Sequence, residues 1–224
     1  MNVDQVRGPT ADLAALSASR RVYDQLRWID ERGMERVRVD YVQNQPFIVP
    51  GERLQNKAQR YYFTGTMHLA PGEIFVSPLD LNVEQDRVET PIKPTLRLGM
   101  PVQDAAGQAR GIVIANYFGR YLLDRFSEAT EAGDSVDRVN LLNRDGYWLK
   151  APQSADEWGF MFGRKEHFGT RYPDAWTRIA GGERGQFEDA HGLWSFRTVR
   201  PLGAGVVATI ELPIAVPHAD SRAA

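Results

Sequence analysis

Three times along the chain, two runs of strand-forming residues are joined by a short turn carrying Gly: RWIDERGMERVRVDY at 27–41, TLRLGMPVQDAAGQARGIVIANYF at 95–118 and VNLLNRDGYWLKAP at 139–152. Each reads as a β-hairpin, with turns at Gly33, Asp104 to Gly107 and Asn143 to Gly146. Hairpins of this kind build antiparallel sheet, so the rest of the chain has to supply what covers its faces. TADLAALSASRRVYDQL at 10–26 has a helix-like spacing of Leu13, Leu16 and Tyr23, with an N-cap at Thr10 or Asp12. RYLLDRF at 120–126 and DAWTRIAGG at 174–182 are further short helices, and GQFEDAHGLWSFRTVRP and VVATIELP supply the remaining strands. In the first hairpin Trp28, Val37, Val39 and Tyr41 are the expected buried positions. The small polar stretch SEATEAGDS at 127–135 reads as a connector, after which the hairpin-and-helix pattern starts again. The fold class expected is therefore α+β: an N-terminal helix followed by two modules, each a central antiparallel sheet flanked by helices.

With 224 residues the chain is long enough for two modules that each bury a core. Its 27 Lys and Arg against 29 Asp and Glu show no basic cluster suited to a phosphate backbone, so nucleic acid is excluded as an expected partner. The absence of cysteine removes disulfides, thiolate metal sites and thiol catalysis. Neither a G-x-G-x-x-G nor a Walker loop occurs, and no cofactor is expected.

RYYFTGTMHLAPGEIFVSPLDLNVEQ at 60–85 is the stretch richest in chemistry. The alternation Asp80, Asn82, Glu84, Asp86 has the oxygen ligands of a calcium loop but Gln85 where the turn glycine belongs and Pro91 where the closing glutamate belongs. One solvated or hydrogen-bonded strand face accounts for it better, and no metal is expected. Glu73, Asp80, Glu84 and Glu89 could in principle serve a secreted carboxylate-dependent hydrolase. Ser77 lies in V-S-P and not in a nucleophile elbow, while His68, His167, His191 and His218 lack metal-ligand spacing. The aromatics Trp148, Trp158, Phe160, Phe162, Tyr172 and Trp176 are expected to form the core of the second module. Arg60 beside Tyr61, Tyr62 and Phe63 offers a planar fork for oxyanions next to apolar walls; its alternative is an ordinary amphipathic helix with an exposed arginine.

YDQLRWIDERGMERVRVDY, NKAQRYYF, GEIFVSPLDLNVE, the segment T-P-x-x-P-T-L-R, PVQDAAGQARGIVIANYFG and NLLNRDGYWLKAP, in that order, resemble the double Cache family of PAS-like extracytoplasmic sensor domains. These belong to bacterial histidine kinases, diguanylate cyclases and chemoreceptors. The resemblance implies an N-terminal helix at 1–22, a membrane-distal ligand-binding module at 23–127, a membrane-proximal module at 128–213 and a tail at 214–224. It also implies a periplasmic piece whose membrane helices are removed and a parent chain anchored in the inner membrane; a homodimer paired through the N-terminal helix is a separate expectation. Carried over position by position, Arg60 falls on the family's motif arginine, Tyr62 on the aromatic two residues later, Ser77 on the S-x-P strand and Asn116 on the polar residue closing a V-x-x-N/D strand. Asn116 replaces the aspartate that pairs a ligand ammonium in amino-acid sensors, and Arg97 joins the pocket strand. The ligand expected is a small polar or anionic metabolite, with a carboxylate-bearing one favoured, and Tyr61, Asp80 and Tyr117 are further contacts. A ligand-free dimerisation module is the competing expectation.

Overall fold

The computed structural model describes residues 4–84, 87–131, 139–199 and 212–218. In chain order its elements are α1 (Asp4–Arg20), β1 (Tyr23–Ile29), β2 (Glu35–Val42), β3 (Gln45–Ile48), α2 (Tyr61–Met67), β4 (Phe75–Val76), β5 (Asp80–Leu81), β6 (Val83–Glu84), β7 (Arg87–Val88), β8 (Pro94–Gln103), β9 (Ala109–Phe118), α3 (Arg120–Glu131), β10 (Asn140–Leu142), β11 (Trp148–Lys150), α4 (Phe168–Arg171), α5 (Pro173–Ala180), β12 (Arg184–Asp189), β13 (Gly192–Val199) and β14 (Leu212–His218). The mixture of helices and antiparallel sheet is the expected one.

Two compact units share these elements. The first contains α1, β1–β3, α2 and β4, together with Thr95–Phe118. Its sheet runs β3-β2-β1-β9-β8-β4, with every pairing along this path antiparallel. The hairpin β8–β9 supplies the centre because its turn closes cleanly: Asp104 Oδ1 accepts from the backbone N–H of Ala106 and Gln108, and Gly107 takes φ +77°. At Gly111, φ is +105° and a Cβ would stand 1.9 Å from the carbonyl of Ile29, so β9 can lie this close to β1 only with glycine there. Over this sheet α2 packs Tyr62 and Phe63 onto Ile29, Ile112 and Ile114.

The second unit contains Leu79–Pro94 and the described residues from Gly119 onward, so the units are not consecutive stretches of chain. Its five-stranded sheet runs β11-β10-β14-β13-β12. The core beneath it is Leu142, Trp148, Phe168, Ala175, Ile179 and Trp194, with Tyr172, Trp176, Phe187 and Phe196 packed against it.

Several sequence expectations change. The N-terminal helix begins at Asp4, carries Pro9 within it and ends at Arg20, so neither Thr10 nor Asp12 caps it. Tyr23 belongs to β1, Leu16 is exposed and Ser17 is buried, because tertiary contacts with β1–β3 and not the leucine spacing select the buried face. In the first hairpin Val37 and Val39 are buried, whereas Trp28 and Tyr41 are only half-buried. The first residues of the expected connector, 127–131, continue α3, and 132–138 lie outside the described residues. The segment 212–218, mostly assigned to a tail, is β14, which lies between β10 and β13 in the second sheet. The expected strand over 206–211 lies outside the described residues.

Phe162 does not join the aromatic core; its side chain is exposed. The acidic alternation is not one strand face either. It is divided among two-residue strands, Asn82 is buried and donates to Glu89 Oε2 at 2.9 Å, and Asp86 lies outside the described residues.

Candidate functional site

Strand alternation sorts the first sheet's side chains onto two faces. In register, Gln25 lies opposite Asn116, Arg27 opposite Ile114 and Ile29 opposite Ile112, while Asn116 and Ile114 lie opposite Arg97 and Gly99 of β8. One face therefore has an apolar end, closed by Tyr62 and Phe63, and a polar end made by Gln25, Arg27, Asn116 and Arg97. All four of these polar side chains are buried.

Buried arginine is costly unless its N–H groups find acceptors. Arg27 donates from Nη2 to Asn116 Oδ1 at 2.7 Å, from Nη1 to the Tyr62 hydroxyl at 3.3 Å and, at the longer distance of 3.5 Å, to Glu35 Oε1. Its Nε has no acceptor among the described residues although the side chain is 3% exposed. Nε and Nη2 share one edge of the guanidinium, the edge that holds a carboxylate with two parallel hydrogen bonds. Half of that edge is thus occupied by an amide oxygen, and the other half is buried without an acceptor among the described residues.

Glu35 is held in turn by the backbone N–H of Gln55 at 3.0 Å. Asn116 uses its amide nitrogen to donate to Gln25 Oε1 at 3.2 Å, which orients the pair.

Arg97 donates from Nη1 to the Tyr61 hydroxyl at 3.2 Å, and its backbone N–H donates to Ser77 Oγ at 2.8 Å. The Cζ atoms of Arg27 and Arg97 each lie 5.5 Å from the centre of the Tyr62 ring, so two cations share one aromatic ring. Tyr61 meets the same ring edge-on at 5.7 Å. Behind them Gly99 lets α2 approach: a Cβ there would stand 2.4 Å from Thr66 Oγ1, which donates to the Tyr62 carbonyl.

The structure brings together Tyr61, Tyr62, Ser77, Arg97 and Asn116. Ser77 is buried and its hydroxyl serves backbone groups, accepting from Arg97 N–H and donating to the Pro78 carbonyl at 2.7 Å, so it anchors β8. Arg60 is the N-cap residue of α2 and half-buried; its carbonyl accepts from Phe63 and Thr64. Tyr117, next to Asn116 on β9, points to the opposite face and meets Tyr23 edge-on at 6.4 Å. Asp80 belongs to the second unit.

Sequence reasoning passed over Arg27, Gln25 and Glu35. The available signal was D-Q-L-R-W-I, where polar residues alternate with apolar ones inside a strand that pairs on both sides. Of the acids proposed for hydrolysis, Glu73 accepts from Ala70 N–H at 2.7 Å and Glu89 pairs with Lys93 at 2.7 Å, both local contacts.

One face of the first unit's sheet thus combines an apolar end with a few convergent, buried polar groups, the makeup of many small-molecule sites. The chain belongs to the family described as bacterial histidine kinase, sensor domain, whose model matches residues 13–210. A search of curated proteins returns no match.

Among solved structures the fold resembles the extracellular domain of the putative histidine kinase vpHK1S-Z8, with a TM-score of 0.76 at 20% identity, covering 96% of this chain and 75% of that one. A domain of a putative sensory box/GGDEF family protein from Vibrio parahaemolyticus gives 0.74 at 22% identity, covering 96% and 82%. The ligand-binding domain of the Pseudomonas aeruginosa amino acid chemoreceptor PctC, in complex with GABA, gives 0.55 at 12% identity, covering 96% and 91%. The fold is that of extracellular sensor domains. No helix among the described residues is long and apolar enough to cross a membrane.

Proposed function

We propose that this chain is the extracytoplasmic ligand-sensing domain of a membrane-anchored receptor, and that a small carboxylate-bearing metabolite binds at the polar end of the first unit's sheet. The parent protein would be a histidine kinase or a diguanylate cyclase, with the distal module built around the first unit's sheet and the proximal one around the second unit's. The observation that carries the reading is Arg27: a guanidinium buried on a sheet face whose Nε has no acceptor among the described residues. A ligand carboxylate satisfies that edge at Nε and Nη2, and Asn116 turns to the ligand as its oxygen is released. Arg97 adds a second cation, Tyr61 and Tyr62 wall the site, and Gln25 with Asn116 orients whatever the carboxylate is attached to. Support for a small acid also comes from the chemoreceptor domains of this fold solved with GABA and with L-serine.

Signalling requires only that the ligand bind one conformation better than another. The Arg27–Glu35–Gln55 chain offers a route, since an Arg27 drawn to a ligand loosens its 3.5 Å contact with Glu35, whose other oxygen holds the segment at Gln55. The test is calorimetry against a panel of mono- and dicarboxylates. Arg27→Ala is expected to lower the affinity of the best ligand by roughly a hundredfold or more, the cost of losing a buried charge partner. Arg60→Ala is expected to change it by less than about fivefold. Equal binding by wild type and Arg27→Ala rules the site out.

Pairing of two copies through α1 completes the proposal. Sedimentation should show a monomer–dimer equilibrium that is lost when α1 is deleted; a strict monomer at millimolar concentration would contradict it.

A further inference from the structure

The second unit carries a recess that the sensing site does not use. Between Ile92 and the loop 154–164 lies a space of about 530 Å³, within the range of small-molecule sites. Its apolar walls are Ile92, Ala155, Trp158 and Phe162. Ile92 and Phe162 are 46% and 52% exposed, high values for large apolar residues that line one hollow.

The loop that forms this recess is held in a costly conformation. Trp158, buried at 2% exposure, takes φ +60°, a region that a bulky non-glycine residue rarely occupies. Its backbone N–H donates to the Trp148 carbonyl at 2.8 Å, which ties the loop to the core strand β11. The Arg164 guanidinium closes the loop by donating to the carbonyls of Ala155 and Glu157 and lies 5.8 Å from the Phe162 ring centre. Those two hydrogen bonds use two of five N–H donors, so a cation with donors to spare stands on the recess wall. Glu157, the acid in the lining, is engaged by Lys150 at 3.3 Å and by the backbone N–H of Ala151 at 3.2 Å. The recess therefore pairs an apolar hollow with a positive edge.

We infer that this recess is a second ligand site, in the unit distinct from the sensing site, and that it takes a small amphipathic organic anion. An aromatic or branched body lies against Ile92, Trp158 and Phe162, and the carboxylate meets Arg164.

The probe that tests this is 4-(trifluoromethyl)phenylacetate, followed by ¹⁹F line broadening and saturation titration. Because it also carries a carboxylate, the titration is run on Arg27→Ala as well as wild type, which separates this site from the one in the first unit. Saturable broadening is expected in both proteins, with apparent Kd raised at least tenfold by Phe162→Ser and by Ile92→Ser. Both side chains are exposed, so unchanged thermal melting confirms that the variants fold. Arg164→Gln should weaken the acid at least fivefold and leave the weaker binding of the corresponding neutral amide unchanged.

Loss of the signal in Arg27→Ala alone would overturn the proposal, since the probe would then occupy the first unit. Full broadening with Phe162→Ser and Ile92→Ser, or no saturable broadening in wild type, would overturn it as well, while leaving the sensing site untouched. Capture on anionic phospholipid vesicles without binding of the free acid would assign the surface to a membrane and sink it too.

Discussion

Two arginines share one tyrosine ring, and each has a neutral acceptor, an amide oxygen on Arg27 and a phenol on Arg97. A neutral acceptor holds a guanidinium less firmly than a carboxylate does, so the amide oxygen on Arg27 is one that an incoming anion can displace. Glu35 tempers Arg27, but at 3.5 Å with its second oxygen committed to Gln55 it gives only part of a salt bridge. The steric side of the same site rests on Gly99. Gly99→Ala puts a methyl group 2.4 Å from Thr66 Oγ1 and against Ile114, so α2 must lift from the sheet. The expected cost is about 1–3 kcal/mol in urea unfolding, with a loss of ligand affinity because Tyr61 and Tyr62 ride on α2. A Gly99→Ala protein with unchanged stability and affinity would show that α2 does not close on the sheet in this way.

At the level of elements, the second unit is held by an arginine clasp. Arg171 on α4 makes two parallel hydrogen bonds to Asp156, at 2.7 and 2.8 Å, adds Glu166 at 2.6 Å and stacks 4.5 Å over the Trp148 ring. The Arg171 hydrogen bonds hold the Asp156 carboxyl below the usual aspartate range, and the same pairing pushes the guanidinium still higher. A carboxylate with a depressed folded-state pKa contributes stability above its unfolded value of about 3.9 and loses it as pH falls through the lower folded value. Asp156→Asn is therefore expected to cost about 1 kcal/mol at pH 7, a figure kept small because the pair is partly exposed. The difference from wild type should shrink as the pH drops below about 4. Urea melts of both proteins at pH 7, 4 and 2.5 check this, and a pH-independent difference would contradict it. The neighbouring α4 is capped by His167, whose Nδ1 accepts from Gly169 N–H at 3.1 Å while Thr170 closes the reciprocal bond. This is a packing role for a histidine whose spacing excluded a metal.

For the molecule as a whole, each unit carries its own buried cluster, Ile29 with Ile112 and Ile114 in the first and Trp148 with Phe168 and Trp194 in the second. Phe168 is fully buried and touches Trp148, Tyr172, Trp176 and Trp194. Phe168→Ala should destabilise the second unit by about 3–5 kcal/mol. Its effect on carboxylate affinity in the first unit should stay within about twofold, read by calorimetry well below the lowered melting temperature. Equal losses of stability and affinity would show that the two units do not act separately.

What could be read from the chain alone was local. Turns such as Asp104 to Gly107, alternation in 109–118 and the stop at Gly181 depend on neighbours within a few residues, and the hairpins, the short helices and the α+β class followed from them. The ordered set of segments also carried the resemblance to extracytoplasmic sensors, a family to which the chain belongs. Arg60, Tyr61, Tyr62, Ser77, Asp80, Arg97, Asn116 and Tyr117 were named on that basis; the fold gathers Tyr61, Tyr62, Ser77, Arg97 and Asn116, but makes Arg60 the N-cap of α2, turns Tyr117 to the other face and puts Asp80 in the second unit.

Arg27 was invisible for a physical reason: a lone arginine in a strand looks like a solvated residue until the strand is known to have neighbours on both sides. Only the register, with Asn116 beside Gln25 and Arg97 beyond it, puts that position in a buried polar cluster. The same holds for β14, whose proline-containing sequence reads as a tail and becomes a strand because β10 and β13 both pair with it. Hydrogen bonds between residues dozens of positions apart leave no periodic trace in a sequence, so the elements were determined locally and the site was decided by how the sheet brings them together.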